Sequence, residues 1–167
     1  YPPPGARPGG FWLHAVSVGE VRLALRILPE LARRFPGASI HLTTGTATGR
    51  ALAAAGAGTV PAASGGALPL GVPFAMRAVI EGVRPRAVLT METEIWPNLL
   101  RLCAERGVPV LLLNGRISTR SYPRYRALRP FLRRILQGFS SLGMQSREDA
   151  DRIVDLGGAM DRVRVTG

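Results

Sequence analysis

Two short stretches carry side chains suited to proton transfer at a ligand. The first, His14-Ala15-Val16-Ser17-Val18-Gly19-Glu20, follows the apolar run Phe11-Trp12-Leu13 and precedes a helical pattern starting at Val21. The second, Glu92-Thr93-Glu94-Ile95-Trp96-Pro97-Asn98, follows the apolar run Ala87-Val88-Leu89-Thr90-Met91. Each reads as the end of a β-strand, a tight turn and a helix start. Unpaired N–H groups at a helix start carry partial positive charge, and small residues such as Ser17 and Gly19 let a polar ligand reach them. Glu20 then stands at the mouth of such a site, either as a base or as an acidic residue that complements the helix dipole. His14 is either a second base or a satisfied polar residue at a strand end. Glu92 and Glu94 point the same way if the backbone there is extended. Two carboxylates at the carboxyl edge of a buried strand call for partners, substrate or catalysis, with helix capping as the simpler role for Glu94.

Two further turns are polar. Gly45-Thr46-Ala47-Thr48-Gly49 follows the β-branched run Ser39 to Thr44 and resembles a phosphate-cradling loop only superficially, because both the dinucleotide fingerprint and the P-loop lysine motif are missing. A capped helix with hydroxyls bonding free N–H groups is the alternative. Asn114-Gly115-Arg116-Ile117-Ser118 follows the apolar run Val108 to Leu113. No His/Asp cluster has metal-ligand spacing, so no metal is expected.

The elements that position these turns follow from periodicity. Val21, Ala24, Leu25, Leu28, Leu31, Ala32 and Phe35 recur at helical spacing, with Pro29 expected to kink the helix and Pro36-Gly37 to end it. A small-residue helix is expected at about 50–55, then an Ala/Gly/Pro-rich loop over 56–72 with a short strand around Val60. Pro73 to Val83 reads as a helix, as does the stretch from Pro97 to about Arg106. Ser121 to Gln137 reads as one basic amphipathic helix, which either lies on an anionic membrane surface or presents a solvated face. A strand over 139–144, a short helix over 148–156 and a last strand over 162–165 complete the chain. Six or seven strands alternating with helices predict an α/β fold, a Rossmann-like doubly wound parallel sheet, whose strand-end clusters should line one crevice.

Composition sets bounds. The chain has 167 residues, 46% of them hydrophobic, enough for one domain with a real core. Residues 1–10 are a Pro/Gly-rich leader. No apolar run approaches the ~20 residues that span a bilayer, and the start has no signal-peptide stretch. The single cysteine, Cys103, falls on an apolar helical face and reads as core. All 22 basic residues are arginine and the net charge is +11, which favours anionic partners. Without a nucleic-acid-binding motif or a basic stripe interleaved with aromatics, no nucleic acid is expected.

Taken together, HAVSVGE at 14–20, TTGTATG at 43–49, METEIWPNLL at 91–100, NGRISTRS at 114–121 with Tyr125, and MQSREDADR at 144–152 followed by LGG and VRVTG resemble the bacterial 3-deoxy-D-manno-octulosonic acid (Kdo) transferases. The resemblance covers nearly all of residues 11–167. It implies the N-terminal, acceptor-binding Rossmann-like domain of a GT-B glycosyltransferase over 11–167, with the C-terminal donor domain absent. The implied reaction is inverting transfer of Kdo from CMP-Kdo to a lipid A precursor (lipid IVA) in lipopolysaccharide synthesis at the cytoplasmic face of the inner membrane. The partners so implied are the lipid A precursor, CMP-Kdo and the anionic inner-membrane surface. No cofactor is implied, since CMP-Kdo is a substrate held mainly by the other domain.

By the same resemblance Glu20 matches the general base and Glu92 a position that assists the transition state. Ser17, Gly19, Thr44, Thr48, Gly49, Glu94, Asn98, Asn114, Arg116 and Ser121 match pattern positions expected to shape the acceptor crevice, with Arg116 facing a lipid phosphate or Glu92. The family usually has Pro-Tyr-Asp before the helix at Pro73, where this chain has Pro69-Leu70-Gly71. Residues 1–167 alone are expected to bind acceptor without transferring sugar. The alternatives are another GT-B nucleotide-sugar transferase and a non-catalytic, membrane-associated α/β binding module.

Overall fold

The computed structural model describes residues 7–60, 63–67 and 73–167. Residues 1–6 of the expected leader and the Pro69-Leu70-Gly71 segment lie outside the described residues. The chain forms two compact units, Tyr1–Leu89 and Thr90–Gly167.

In the first unit, β1 (Phe11–His14) and β2 (Ile40–Thr44) pair in parallel, and β3 (Ala63–Ala67) pairs in parallel with β2. Every residue of β1 and β2 is buried, as expected of parallel strands covered on both faces. Helix α1 (Val18–Arg34) buries Val21, Ala24 and Leu28 and runs on through Pro29. Helix α2 (Ala47–Ala57) is longer than the sequence suggests. Its small residues serve close packing. A Cβ on Gly56 would fall 2.4 Å from the Leu25 side chain, and one on Gly65 of β3 would fall 2.7 Å from the Ala53 backbone. The expected strand around Val60 is displaced to β3, with Val60 in the preceding turn, because Gly65 gives α2 the room to lie on the strand. Helix α3 (Pro73–Val83) leads to β4 (Ala87–Met91), where the division between the units falls. Residues 7–10 are pinned: Gly9 N–H meets the carbonyls of Val83 and Arg84, both at 3.1 Å, and the Gly10 carbonyl accepts from Arg86 N–H at 2.8 Å.

The second unit contains α4 (Pro97–Ala104), β5 (Val110–Gly115), α5 (Tyr122–Ala127), α6 (Arg129–Leu136), β6 (Ser141–Met144), α7 (Arg147–Asp155), a 3-10 turn (Met160–Arg162) and β7 (Val163–Val165). The single helix expected from Ser121 to Gln137 is two, divided at Leu128. Pro130 is the reason: it has no N–H for the carbonyl one turn back, and its ring crowds that carbonyl. Cys103 is buried in α4, and burial pushes its thiol up to about 12. The strand order is β3-β2-β1-β4-β5-β6-β7, an α/β, Rossmann-like doubly wound parallel sheet. Among the described residues no helix is long and apolar enough to cross a membrane.

One buried polar cluster of the first unit centres on Thr43. Trp12 and His14 lie on the same side of β1, and His14 is in register with Thr43. The Trp12 indole N–H donates to Thr43 Oγ1 at 2.7 Å, and His14 Nδ1 lies 2.8 Å from the same oxygen. Thr43 Oγ1 also donates to the Leu13 carbonyl at 3.4 Å, so its contacts serve the indole, that carbonyl and one ring nitrogen of His14, leaving the other, Nε2. That Nε2 is buried without a hydrogen-bond partner among the described residues. Burial therefore drives His14 from its usual 6.5 down to about 4.

A group that binds its proton more weakly folded than unfolded stabilises the fold above its unfolded pKa and loses that contribution as pH falls through the folded one. From pH 7.5 to pH 4.5, His14 should cost the fold on the order of 2 kcal/mol. Urea unfolding at the two pH values should show a smaller loss for His14→Gln than for the wild type. Equal losses would mean that the imidazole is already charged at pH 4.5.

Candidate functional site

The first cluster is built at the carboxyl ends of β1 and β2, within the first unit. Glu20 is 5% exposed, and both of its carboxylate oxygens are held. Oε2 accepts from Val16 N–H at 2.9 Å and Oε1 from Ser17 N–H at 3.2 Å, while Ser17 Oγ accepts from Glu20 N–H at 3.2 Å. Ser17 and Glu20 thus form a capping box around the first turn of α1, satisfying donors that would otherwise face nothing. The dipole-complementing role of Glu20 is real, but it leaves each carboxylate oxygen a further lone pair. The helix begins at Val18, three residues earlier than the apolar spacing implies, because the cap sets the boundary.

The other candidates of this unit fall around the same turn. Thr44 is fully buried, and its hydroxyl donates to the Val16 carbonyl at 3.1 Å. Thr46, which the sequence does not single out, caps α2 by accepting from Gly49 N–H at 3.1 Å and donates to the same Val16 carbonyl at 3.3 Å. Gly49 is required to be small, since a Cβ there would lie 2.5 and 2.6 Å from the two threonine hydroxyls. The turn after β2 is therefore a capped helix start that also holds the turn after β1. Ser17, Gly19 and Thr48 are exposed on these turns.

The second cluster belongs to the second unit. Glu92 follows β4 with a φ of 53°, and Asn114 in β5 has a φ of 54°. The extended backbone that would aim Glu92 and Glu94 the same way is thus replaced by a left-handed turn. Asparagine tolerates this region, whereas for glutamate it costs on the order of 1 kcal/mol. Glu92 N–H donates to the Leu113 carbonyl at 2.8 Å, joining the two turns. The N-cap residue of α4 is Trp96, whose side chain makes no cap bond and instead donates its indole N–H to Glu94 Oε2 at 2.6 Å. The Thr93 hydroxyl donates to the Arg116 carbonyl. Arg116 and Asn98 are exposed, and Ser121 N–H donates to Ser118 Oγ at 3.1 Å.

A clamp from α7 fixes the loop after β5. Buried Asp149 accepts from Ile117 N–H at 2.7 Å and shares a cap with Ser146. Arg152 donates to the Ile117 carbonyl at 2.6 Å and to Thr119 Oγ1 at 2.9 Å. Neither residue is a sequence candidate, although the Ser146-x-x-Asp149 spacing is a capping-box signal. Among the described residues no group of three or more His, Cys, Asp and Glu side chains is placed to hold a metal ion.

Comparison with known proteins identifies the family. Relatives include 3-deoxy-D-manno-octulosonic acid transferases of Haemophilus influenzae, 34% identical over 165 residues (96% of this chain and 37% of the relative), and of Bordetella pertussis, 38% identical over 162 residues (93% and 36%). The chain thus spans little more than a third of these relatives' length. Among solved structures, the UDP-GlcNAc 2-epimerase of Neisseria meningitidis bound to UDP-GlcNAc superposes with a TM-score of 0.68 at 11% identity, over 95% of this chain and 46% of that one. This likeness is one of fold alone, the fold of one half of a GT-B protein. Residues 1–167 in full match the family model described as 3-Deoxy-D-manno-octulosonic-acid transferase (kdotransferase), and the chain belongs to that family.

Proposed function

We propose that this chain is the acceptor-binding part of an inverting Kdo transferase, using CMP-Kdo as donor and a lipid A precursor as acceptor. The reading rests on family membership and on one observation: a buried carboxylate, Glu20, held by two backbone N–H groups at a strand's carboxyl end. A general base must be fixed within hydrogen-bond reach of the proton it takes. In the proposed step the acceptor hydroxyl oxygen attacks the anomeric carbon of Kdo from the face opposite the leaving group. The bond from that carbon to the CMP phosphate oxygen breaks, CMP leaves with the electron pair, and the hydroxyl proton passes to Glu20. Glu92 assists the transition state from its left-handed turn, while Gly19, Thr48, Glu94, Asn98, Asn114, Arg116 and Ser121 shape the acceptor site. Residues 1–167 by themselves bind acceptor and do not transfer sugar.

The proposed place of action is the cytoplasmic face of the inner membrane. Supporting it, Leu128 and Phe131 are 55% and 60% exposed, amid the exposed Arg124, Arg129, Arg133 and Arg134 of α5 and α6. Apolar side chains among arginines suit the headgroup layer of an anionic bilayer.

Three measurements test these assignments. In the full-length protein, given CMP-Kdo and lipid IVA, Glu20→Gln should lose at least ~100-fold in kcat. Near-normal turnover would reduce Glu20 to a helix cap, and an inert wild type would point to another nucleotide-sugar donor. At position 92, Glu92→Gly should be more stable than Glu92→Ala by about 1 kcal/mol in thermal unfolding, because glycine adopts a φ of 53° without the strain that a Cβ brings. Vesicles containing phosphatidylglycerol should bind the protein, and Arg129→Gln and Arg133→Gln should each weaken that binding about fivefold. Equal binding to neutral vesicles would remove α5 and α6 from the membrane contact.

A further inference from the structure

The Val16–Ser17 peptide group is held on both sides. Its carbonyl oxygen accepts from Thr44 Oγ1 at 3.1 Å and from Thr46 Oγ1 at 3.3 Å. Its N–H, that of Ser17, donates to Glu20 Oε1 at 3.2 Å. Both hydroxyl bonds are longer than the usual O–H···O length, and they converge on one acceptor. Hydrogen bonds accepted by an amide oxygen polarise the peptide and make its N–H a better donor, so bonds in such a chain reinforce one another.

Capping accounts for only part of this arrangement. A cap on α2 requires one lone pair of Thr46, which accepts from Gly49 N–H. It places no demand on the Thr46 proton, nor on that of Thr44, whose oxygen accepts from Thr46 N–H at 3.5 Å but which is not the capping residue. Both protons nevertheless go to Val16, 28 and 30 residues away in sequence. The small size of Gly49 keeps the two hydroxyls where they are.

We propose that Thr44 and Thr46 are positioning residues for the Glu20 carboxylate, acting through the Val16–Ser17 peptide. Their hydroxyls fix the plane of that peptide, strengthen the Ser17 N–H and thereby set where the carboxylate lies. The catalytic consequence rests on the reading of Glu20 as the base. The positioning itself does not.

The test uses the full-length protein with Thr44→Val, which removes one hydroxyl and leaves the α2 cap in place, and Thr44→Ser, which restores the hydroxyl. Amide NMR should show the Ser17 proton moving upfield in Thr44→Val and returning in Thr44→Ser. Turnover of CMP-Kdo and lipid IVA should fall about tenfold in kcat with acceptor KM unchanged, on the way to the ~10²-fold that a 1 Å misplacement of a reacting group costs. Should Thr44→Val fail to fold, Thr46→Val, at an exposed position, removes the other hydroxyl together with the α2 cap, and Thr46→Ser restores both. A Ser17 amide that stays put in a folded valine variant overturns the proposal whatever the activity. An amide that moves while Glu20→Gln keeps full turnover upholds the positioning and removes only Glu20's role as base. An amide that moves with Glu20 essential and kcat unchanged overturns the catalytic use of the two threonines.

Discussion

The first N–H groups of a helix have no intrahelical partner, and in a parallel α/β sheet most helices start just beyond a strand. Among the described residues three helices meet that demand with side chains: α1 with Ser17 and Glu20, α2 with Thr46, and α7 with Ser146 and Asp149. Each cap also ties its helix to another segment. Glu20 reaches back to Val16, Thr46 across to Val16, and Asp149 to Ile117. The polar residues at the strand ends are therefore first of all the means by which the turns hold their shape. Any chemistry done there uses groups already fixed by the needs of the backbone.

The backbone at the second cluster is fixed in another way. Glu92 and Asn114 both take left-handed conformations at strand ends and are joined by the Glu92 N–H bond to Leu113. Glycine would adopt that conformation without the steric strain that glutamate carries there. A strained acidic residue kept at the carboxyl end of a buried strand is the pattern found where side-chain placement matters more than stability. The loop beyond β5 is held by Asp149 and Arg152 through backbone atoms of Ile117, so Arg116 is carried on a turn that does not depend on its own side chain.

Much of this was legible in the sequence. The continuous apolar runs at 87–91 and 108–113 and the strand-turn-helix reading of the first twenty residues follow from burial on both faces of a parallel sheet. Tertiary fit was not legible. Whether an Ala/Gly-rich stretch is loose or close-packed depends on what lies against it, and here Gly56 and Gly65 are small because Leu25 and Ala53 leave no room. The division of the Arg-rich helix could have been read from Pro130, but the apolar spacing continues across it and masks the break. At the site, residue types pointed to Glu20 and Glu92. Their backbone partners, the left-handed turn at Glu92 and the role of Thr46 arise from pairings tens of residues apart or from dihedral angles, which spacing alone does not encode.

The capping box bears on the base role proposed for Glu20. A carboxylate free to rotate would spend most of its time solvated and away from an incoming hydroxyl, and ordering it at the moment of reaction would raise the barrier. Here the ordering is complete in the resting fold: one N–H on each oxygen fixes the carboxylate plane and leaves the remaining lone pairs as the acceptor positions. The arrangement supplies position before any ligand arrives, which is what the base role proposed for Glu20 requires.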